Sequence, residues 1–463
     1  MMNQHLRELS GPRGHWLFGS LRERNADAIK FFSKCFEDHG DYFKVRFMHV
    51  PIFVAARPDL VKEVLFDRPN EFVRKRVFED LSKLLGRGLL TTEGDKWLKH
   101  RKLAQPAFHM KSISGFFDVM VKATDTMLNN WEQDLKHVGP KHESQMQHCH
   151  RDISDDLMKL TLQIVSESLF GFDTEKDSTR IGDAVSFILP QIFYHLEGIP
   201  FLKNIPNKRN REFNRRLKDL NQIIYAIIEQ RRTETVQRHD LLGMLMSAVD
   251  EEESGKGLSN TDLRDEVMTM FMAGHETTAN GLAWTMHHLA KHPDVERKLR
   301  EEVSRVVGDQ PLKLEHLREL TYVRQIFEES LRLTPPIWAM PRTALHETTL
   351  GGVRIPKNAI VSVNPYLLHR NPAVFKDPLT FDPDRFEPVR KKEIGRYDYI
   401  PFGAGPHTCI GSQFAIMEAQ VILALIYRRF RLETPKAEPT VRPLATITLR
   451  PEPAIRRRIS RLN

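Results

Sequence analysis

The middle of the chain is dominated by apolar residues that recur at helical spacing. This pattern predicts a succession of amphipathic helices from Asp95 to about Gln237, followed by a long helix from about Asn260 to His292. We expect Pro293 to end that long helix, because proline cannot donate the backbone hydrogen bond that a continuing helix needs. Further apolar repeats predict two helices before residue 332 and one after residue 411.

Alternation of apolar and polar residues, which is typical of strands, occurs in two shorter stretches. One is residues 42–47, and the other is residues 359–364, within a section where prolines and glycines are dense. We therefore expect a small sheet and an irregular meander between Pro335 and Pro406. Although 463 residues exceed the usual size of one domain, no linker, internal repeat or low-complexity segment divides the chain.

Composition narrows the possible partners and compartments. The 69 Lys and Arg residues against 61 Asp and Glu give a net charge of +8, a modest excess that favours an acidic protein partner over nucleic acid. The three cysteines are too few and too scattered for a disulfide framework or a structural zinc site, which fits a reducing cytoplasm. We find no apolar stretch of signal-peptide or membrane-anchor length, and we interpret the basic tail Arg456–Arg461 as a solvated end.

The stretch PFGAGPHTCIG at residues 401–411 presents a single cysteine in an unusual setting. Gly403 and Gly405 permit tight backbone turns before Cys409, and an apolar helix follows. The N–H groups at a helix start favour a thiolate over a thiol, which suits a metal ligand. The alternative is a buried free cysteine in a glycine-rich turn, which is the commoner fate of a lone cysteine.

The stretch FMAGHETTA at residues 271–279 places an acid beside a hydroxyl in the predicted long helix. Ala273 and Thr277 are four residues apart and share a helix face, with Glu276 beside them. We expect Thr277 to donate a hydrogen bond to the Ala273 carbonyl and to open a local groove in the helix. A threonine satisfied in the core and a glutamate that reaches solvent are the alternative. A zinc-protease motif is excluded, because the residue four after His275 is alanine.

The loop motif resembles the haem-binding loop of the cytochrome P-450 superfamily, whose positions are matched by Phe402, Gly405, His407, Cys409 and Gly411. The resemblance runs from about residue 11 to residue 451, and we identify the chain as similar to soluble, bacterial-type members. It implies a mainly α (α+β) fold with one haem domain over residues 1–463. The helical portion should cover about 95–335 and 411–430, and the β-rich portion about 11–60 and 340–365.

The resemblance also implies roles for individual residues. Cys409 would be the ligand of the haem iron, with Phe402, Gly403, His407 and Gly411 in the haem-binding loop. Most members carry arginine where this chain has His407, so the charge of that contact to a haem propionate depends on pH. Glu276 and Thr277 match the acid and alcohol of oxygen activation and proton delivery, and Ala273 and Gly274 belong to the same motif.

Two further motifs combine charged residues at helical spacing. Glu329 and Arg332 could form an exposed pair of little energetic value, but their apolar surroundings favour burial. The resemblance makes them, with Arg385, a structural lock on the ligand loop. Trp97 and Arg101 could be a core tryptophan and a surface arginine; the resemblance assigns both, together with Arg342, to the haem propionates.

Family positions place a substrate pocket in the segments 70–90, 187–201, 270–278, 335–340 and 444–448. These segments supply an apolar lining, although any such residue could be ordinary core: Phe72, Val77, Phe78, Leu81, Phe271, Ile337, Trp338 and Leu444. The lining indicates a hydrophobic substrate such as a fatty acid, a terpenoid or a steroid-like ring.

Three functions remain open. The first is a cytoplasmic, monomeric haem-thiolate monooxygenase that holds haem b, uses O2, and takes electrons from NAD(P)H through a ferredoxin or flavodoxin and its reductase, since no flavin domain is present. The second, a peroxygenase or isomerase, is disfavoured because both Glu276 and Thr277 are present. The third is a non-catalytic haem-binding or ligand-binding protein, in which that pair would serve no purpose.

Overall fold

The computed structural model describes residues 8–137, 148–171, 207–234, 240–247, 258–435 and 439–462, together with 184, 187 and 188. Helices account for 57% of the structure and the sheets are small, which confirms the predicted mainly α fold. The chain divides into two compact units, one built from residues 1–77, 328–409 and 442–452, and the other from the remaining segments. The expectation of a single domain over residues 1–463 stays a prediction.

The first unit is built on a five-stranded sheet. Its strands lie in the order Tyr42–Phe47, Val50–Ala55, Ile360–Val363, Met340–Ala344 and Phe72–Val73. The second and third strands are parallel, with Ile52 opposite Ile360, and the other pairs are antiparallel. The predicted alternating stretches at 42–47 and 359–364 thus pair with opposite edges of the same strand, Val50–Ala55.

The remaining elements of the first unit are short. Two small antiparallel sheets pair Thr348–Leu350 with Val353–Ile355, and Arg442–Ala445 with Leu449–Glu452. The helices are Leu21–Ala26, Ala28–His39, Pro58–Lys62 with its extension Glu63–Asp67, Pro365–Leu368, Pro383–Phe386, Pro388–Lys391 and Gly405–His407. The irregular section between residues 335 and 406 has the small sheet that the sequence predicts.

The second unit consists mainly of helices. It contains Gly94–Ala104, Gln105–Phe108, Met110–Ser114, Phe117–His137, Ile153–Phe170, Lys208–Thr233, Leu241–Ser247, Asn260–Leu289, Pro293–Val306, His316–Glu319 and Ser412–Arg429; the helices Arg76–Leu85 and Thr321–Leu333 cross its borders with the first unit. We call Asn260–Leu289 the central helix. The Ser259 hydroxyl caps its start by accepting from Asp262 N at 3.1 Å.

The central helix ends earlier than predicted. It stops at Leu289, and Pro293 is instead the first residue of the next helix, where its missing N–H costs nothing. Helix Ile153–Phe170 crosses it closely at Gly274, since a Cβ there would lie 2.9 Å from Val165. The Thr161 hydroxyl adds a hydrogen bond of 2.9 Å to the carbonyl of His275.

The basic C-terminal tail is not a solvated end. Arg456–Arg461 is a strand that pairs with Cys149–Asp152 on one side and with Phe430–Glu433 on the other. Arg457 is 1% exposed and Ile459 is fully buried, so alternate side chains of this strand point into the protein. The run of arginines hid this alternation in the sequence.

The sequence was expected to contain no apolar stretch of membrane-anchor length, but one stretch of the described residues, Gly405–Arg429, is long and apolar enough to cross a membrane by length and composition. Of its apolar 18-residue window, 67% is buried inside the protein, as in the core helix of a folded domain.

A buried ionic network joins three segments of the first unit. The guanidinium of Arg332, fully buried, donates to both carboxylate oxygens of Glu329 at 2.7 and 2.8 Å. Its remaining N–H groups donate to the carbonyls of His369, Pro378 and Thr380 at 2.7, 2.7 and 3.0 Å. Arg332 therefore holds the meander through backbone carbonyls. These contacts do not depend on which side chains the meander carries at those positions.

Two more groups complete the environment of the Glu329 carboxylate. The backbone N–H of Asp382 donates to it at 2.8 Å, and Arg385 Nε lies 3.4 Å from the same oxygen. Arg385 also donates to the carbonyl of Asp377 at 2.7 Å. The three residues predicted to form a structural lock thus lie together and buried, and their role in supporting the ligand loop stays a prediction.

We predict that Arg332→Ala will not accumulate as folded, haem-containing protein. Loss of the guanidinium leaves the buried Glu329 carboxylate with only the Asp382 N–H and Arg385 as donors, and it removes a donor from three carbonyls. We expect a cost of about 3–5 kcal/mol in the free energy of unfolding. The matched control is Arg354→Ala, which breaks an exposed pair with Glu347 and should cost no more than about 1 kcal/mol. Chemical denaturation and haem content measure both variants, and a stable, haem-replete Arg332→Ala would contradict the prediction.

Candidate functional site

The ligand loop, residues 401–411, is held in a defined shape before Cys409. Gly403 and Gly405 have positive φ angles of 76° and 71°, which favour glycine. At Gly405 a Cβ would lie 1.8 Å from the carbonyl oxygen of Leu65, so no larger residue fits. The Cys409 N–H donates to the Phe402 carbonyl at 2.8 Å. Both glycines are therefore required by the backbone itself.

Cys409 is exposed, whereas the alternative interpretation required a buried cysteine in a turn. The apolar helix Ser412–Arg429 begins three residues later, with Gly411 as its N-cap residue. Cys35 is buried and Cys149 is half-buried, and burial raises the pKa of both thiols, that of Cys35 to about 11. Cys409 is thus the most exposed of the three thiols.

His369 connects the buried ionic network to the ligand loop and was missed by sequence reasoning. It is fully buried, and burial, helped by the charge of Arg332, lowers its pKa to about 3, so the ring is neutral. Its Nδ1–H donates to the Arg332 carbonyl at 3.2 Å, and Nε2 accepts from Ile400 N at 2.9 Å. Arg332 belongs to the structural lock, and Ile400 immediately precedes the ligand loop.

The other predicted haem contacts of the first unit lie on separate elements. Arg342, 8% exposed, is on the strand Met340–Ala344 and donates to the carbonyl of Pro341 at 2.9 Å. His407 is half-buried in the short helix Gly405–His407, and Phe402 is half-buried. Their contacts to a propionate stay predictions.

In the second unit, the middle of the central helix has an exposed strip on an otherwise buried surface. Ala273 is exposed and Gly274 and Thr277 are half-buried, whereas most of the helix is buried. The Thr277 hydroxyl donates to the Ala273 carbonyl at 2.7 Å, which is the hydrogen bond that the sequence predicts. Thr278 donates in the same way to the Gly274 carbonyl at 3.1 Å. Two carbonyls of one turn are thus shared with hydroxyl groups.

Glu276 is buried, at 2% exposure, and so does not reach solvent as the alternative interpretation required. A carboxyl group buried beside a half-buried hydroxyl is costly unless it is satisfied by a partner or by a function. The small residues Ala273 and Gly274 leave the backbone of the same turn accessible. This arrangement suits the delivery of a proton to a small molecule at the strip.

The helix Gly94–Ala104, which we call the Trp97 helix, carries two further predicted contacts. Trp97 and Arg101 are both half-buried and four residues apart, so they lie on one face. Indole N–H and guanidinium groups are suitable donors to a carboxylate.

A second group that the sequence analysis missed lies between the Trp97 helix and the central helix. His100, 2% exposed, forms a short hydrogen bond through Nδ1 with the fully buried carboxylate of Glu266. Lys96 pairs with Asp262 at 2.8 Å one turn away. Asp262 and Glu266 are four residues apart and so share one face of the central helix, but their spacing does not show that His100 and Lys96 lie against that face.

Glu418 is a third missed residue. It lies in the helix Ser412–Arg429 and is fully buried, with the Thr278 side chain near its carboxyl group. Burial raises the pKa of this carboxyl well above its ordinary value, which favours its neutral form. An acid within the apolar run from Phe414 to Ile426 was the available signal.

The predicted pocket residues have varied surroundings. In the first unit Phe72 and Trp338 are 1% and 8% exposed, and the Trp338 indole donates to the Thr446 carbonyl at 3.0 Å. Phe271 is fully buried and packs against Phe170, with 4.8 Å between the two ring centres. It lies about 200° around the central helix from Ala273. The others are the half-buried Ile337 and Phe78, the buried Leu81 and the exposed Leu444. The side chain of Val77 and most of 187–201 lie outside the described residues.

Each unit carries donors that suit an iron porphyrin. In the first unit the exposed Cys409 thiol could bind iron, and the Arg342 guanidinium and His407 imidazole could hold carboxylates. In the second unit the Trp97 indole and the Arg101 guanidinium could also hold a carboxylate. Within the part of the chain that the structure describes, no group of three His, Cys, Asp or Glu residues could hold a bare metal ion. The assignment of the individual residues remains a prediction.

Comparisons with known proteins agree with the motifs. The family model of cytochrome P450 matches residues 9–456. Cyclooctatin synthase of Streptomyces melanosporofaciens is 31% identical over 97% of this chain and 93% of its own length. Cyclooctat-9-en-7-ol 5-monooxygenase of the same organism is 33% identical over 85% and 83%. The crystal structure of the haem domain of cytochrome P450DA has a TM-score of 0.86 and 27% identity, with 99% of each chain covered.

The resemblance drawn from the residues is thereby confirmed, because the family model spans almost the whole chain and relatives above 30% identity cover most of it. The protein belongs to the cytochrome P450 family.

Proposed function

We propose that this cytochrome P450 inserts one oxygen atom of O2 into a cyclic, lipid-like substrate, with electrons from NAD(P)H that reach it through a ferredoxin or flavodoxin. Family membership itself makes the protein a haem-thiolate monooxygenase with redox partners and a hydrophobic substrate. The substrate class is favoured by one relative, whose name describes the oxidation of an unsaturated cyclic alcohol. Fatty acids and steroid-like rings are the next candidates after such cyclic alcohols. A screen of these compounds for haem spectral shifts tests this order of preference.

The observation that carries the proposal is the combination of an exposed Cys409 in a glycine-shaped loop with an acid–alcohol pair on the central helix. We propose that Cys409 is the ligand of the haem iron. Haem bound by a cysteine thiolate supplies the cleavage of the O–O bond. We assign the carboxylates of the haem to Trp97 and Arg101, and to Arg342 and His407.

Within this proposal, Glu276 and Thr277 deliver protons to the oxygen. The Thr277 hydroxyl already donates its hydrogen to the Ala273 carbonyl, so its oxygen lone pairs can accept a hydrogen bond from a proton donor. Glu276 is buried one residue away, and a buried carboxyl can exchange its proton with a water molecule at the exposed strip. A peroxygenase or isomerase does not reduce O2 and therefore takes up no protons from solvent for that purpose.

We predict that Thr277→Ala will bind haem normally but lower the product formed per NADPH by about tenfold or more, with reducing equivalents lost as hydrogen peroxide. The cause is the loss of the hydroxyl that takes part in proton delivery. Thr126→Ala is the matched control, because Thr126 donates to the Lys122 carbonyl at 2.9 Å in the same i to i−4 geometry on an exposed helix face. Equal coupling in Thr277→Ala, Thr126→Ala and the wild type would refute the assignment.

We propose that the redox partner docks near the Trp97 helix. Of the three lysines on this helix, Lys96 is paired with Asp262, Lys99 is half-buried and Lys102 is exposed. An acidic ferredoxin or flavodoxin would be attracted to them over distances of about 8 Å at physiological ionic strength.

Reversal of Lys99 and Lys102 to Glu should therefore slow reduction by an acidic partner and flatten the dependence of its rate on salt. Lys30 and Lys34, both exposed on the helix Ala28–His39, provide a control with the same change in net charge. Stopped-flow reduction across a salt series measures the effect, and peroxide-driven turnover should stay at the wild-type level. If both double variants are reduced alike, the partner docks elsewhere.

A further inference from the structure

A turn near the N-terminus presents consecutive apolar side chains to solvent. Residues 13–18 are all exposed, and they include Trp16 at 79%, Leu17 at 45% and Phe18 at 47%. Met48, 44% exposed, lies beside them, because its N–H donates to the Phe18 carbonyl at 3.0 Å. We call these four side chains the Trp16 patch. Single exposed apolar residues are common, but four together indicate a binding partner.

The patch is held in place by its backbone. His15 and Gly19 exchange two hydrogen bonds of 2.8 Å, which close the turn. The Arg46 guanidinium donates to the carbonyls of His15, Trp16 and Met48 at 2.8, 3.0 and 2.5 Å. Gly19 has a φ of 61°, and a Cβ there would lie 1.9 Å from the Arg46 carbonyl oxygen. The apolar side chains are thus fixed outwards, so a partner gains contact with little loss of backbone entropy.

The surroundings of the patch are basic on balance, although Glu8 and Glu23 of the same segment are also exposed. Arg13 and Arg22 are exposed on either side of the turn. Lys44 is also exposed, and its N–H donates to the Ser10 carbonyl at 3.0 Å, which places it beside the segment that leads into the turn. An apolar centre with an indole at its tip and cationic neighbours matches the boundary between lipid tails and anionic headgroups.

We propose that the Trp16 patch docks this protein on the surface of an anionic lipid bilayer. A second copy of the chain fits less well, because a symmetric dimer would bring the patch against itself and place like charges of Arg13, Arg22 and Lys44 close together. Four side chains reach only the interface of a bilayer, so the contact is peripheral and reversible. The inference goes beyond the proposed function and does not depend on it, although a bilayer would also concentrate a hydrophobic substrate.

Sedimentation with vesicles tests the proposal on the haem-containing protein. The wild type should bind phosphatidylcholine vesicles that contain about a quarter phosphatidylglycerol, and should bind pure phosphatidylcholine vesicles more weakly. Trp16→Ser combined with Phe18→Ser should weaken binding to the anionic vesicles by about tenfold or more, because two apolar side chains that become buried in the bilayer are lost. The matched control is Leu379→Ser with Val389→Ser, which removes apolar side chains exposed by 74% and 71% elsewhere in the same unit.

Two further measurements separate the outcomes. Arg13→Glu with Arg22→Glu should weaken binding to anionic vesicles and leave binding to neutral ones unchanged, and an unchanged carbonmonoxide spectrum shows that each variant is folded. The proposal is overturned if the wild type binds neither vesicle type, or if Trp16→Ser with Phe18→Ser binds as well as the control variant. It is equally overturned if the patch instead supports a dimer in sedimentation equilibrium without vesicle binding.

Discussion

The fully buried guanidinium of Arg332 connects a buried ion pair to the start of the ligand loop, and we expect the shape of that loop to depend on it. It neutralises the Glu329 carboxylate and holds three backbone carbonyls of the meander. Through the Arg332 carbonyl it also holds the ring of His369, whose other nitrogen accepts from Ile400 N. The loop that ends at Cys409 begins with the next residue. A chain of direct hydrogen bonds therefore joins a buried ion pair to the segment that presents the thiol.

We expect the buried network to position the ligand loop, which is a role beyond any gain in net stability. Replacing a buried ion pair by apolar residues is often neutral or favourable, so such a pair is weak evidence for a gain in stability. Here three N–H groups of Arg332 donate to the carbonyls of His369, Pro378 and Thr380 in the meander, and an apolar residue could not reproduce those contacts. The neutral His369 ring, with its pKa lowered to about 3, keeps one tautomer and thus one orientation.

Local motifs allowed much of the site to be predicted. The turns around Gly403 and Gly405, the hydrogen bond from Thr277 to Ala273, and the pairing of Glu329 with Arg332 all follow from short spacings. Arg385, 56 residues from Glu329, was placed beside them by the family resemblance. The long-range partners could not be predicted. His369 is 37 residues from Arg332 and 31 from Ile400, and His100 is 166 residues from Glu266. Only the fold brings such pairs together, and a single sequence gives no sign of which histidine meets which carboxylate.

The C-terminal strand and the end of the central helix show a different limit. The alternation of exposed and buried residues in Arg456–Arg461 was not visible in the sequence, because its residues are mostly arginine. An arginine can bury its aliphatic stem along a strand although its head group is charged. At Pro293 the residue type was interpreted correctly as a helix boundary, but proline is as suitable at the start of a helix as after its end. Neither ambiguity affects the residues that carry the proposed chemistry.

The ligation of iron by Cys409 is the central claim, and the spectrum of the reduced carbonmonoxide complex tests it most directly. The account predicts that the wild type absorbs near the wavelength that names the family, and that Cys409→Ser loses this band while Cys35→Ser, a change at a buried cysteine, keeps it. A band of full strength in Cys409→Ser would contradict the account.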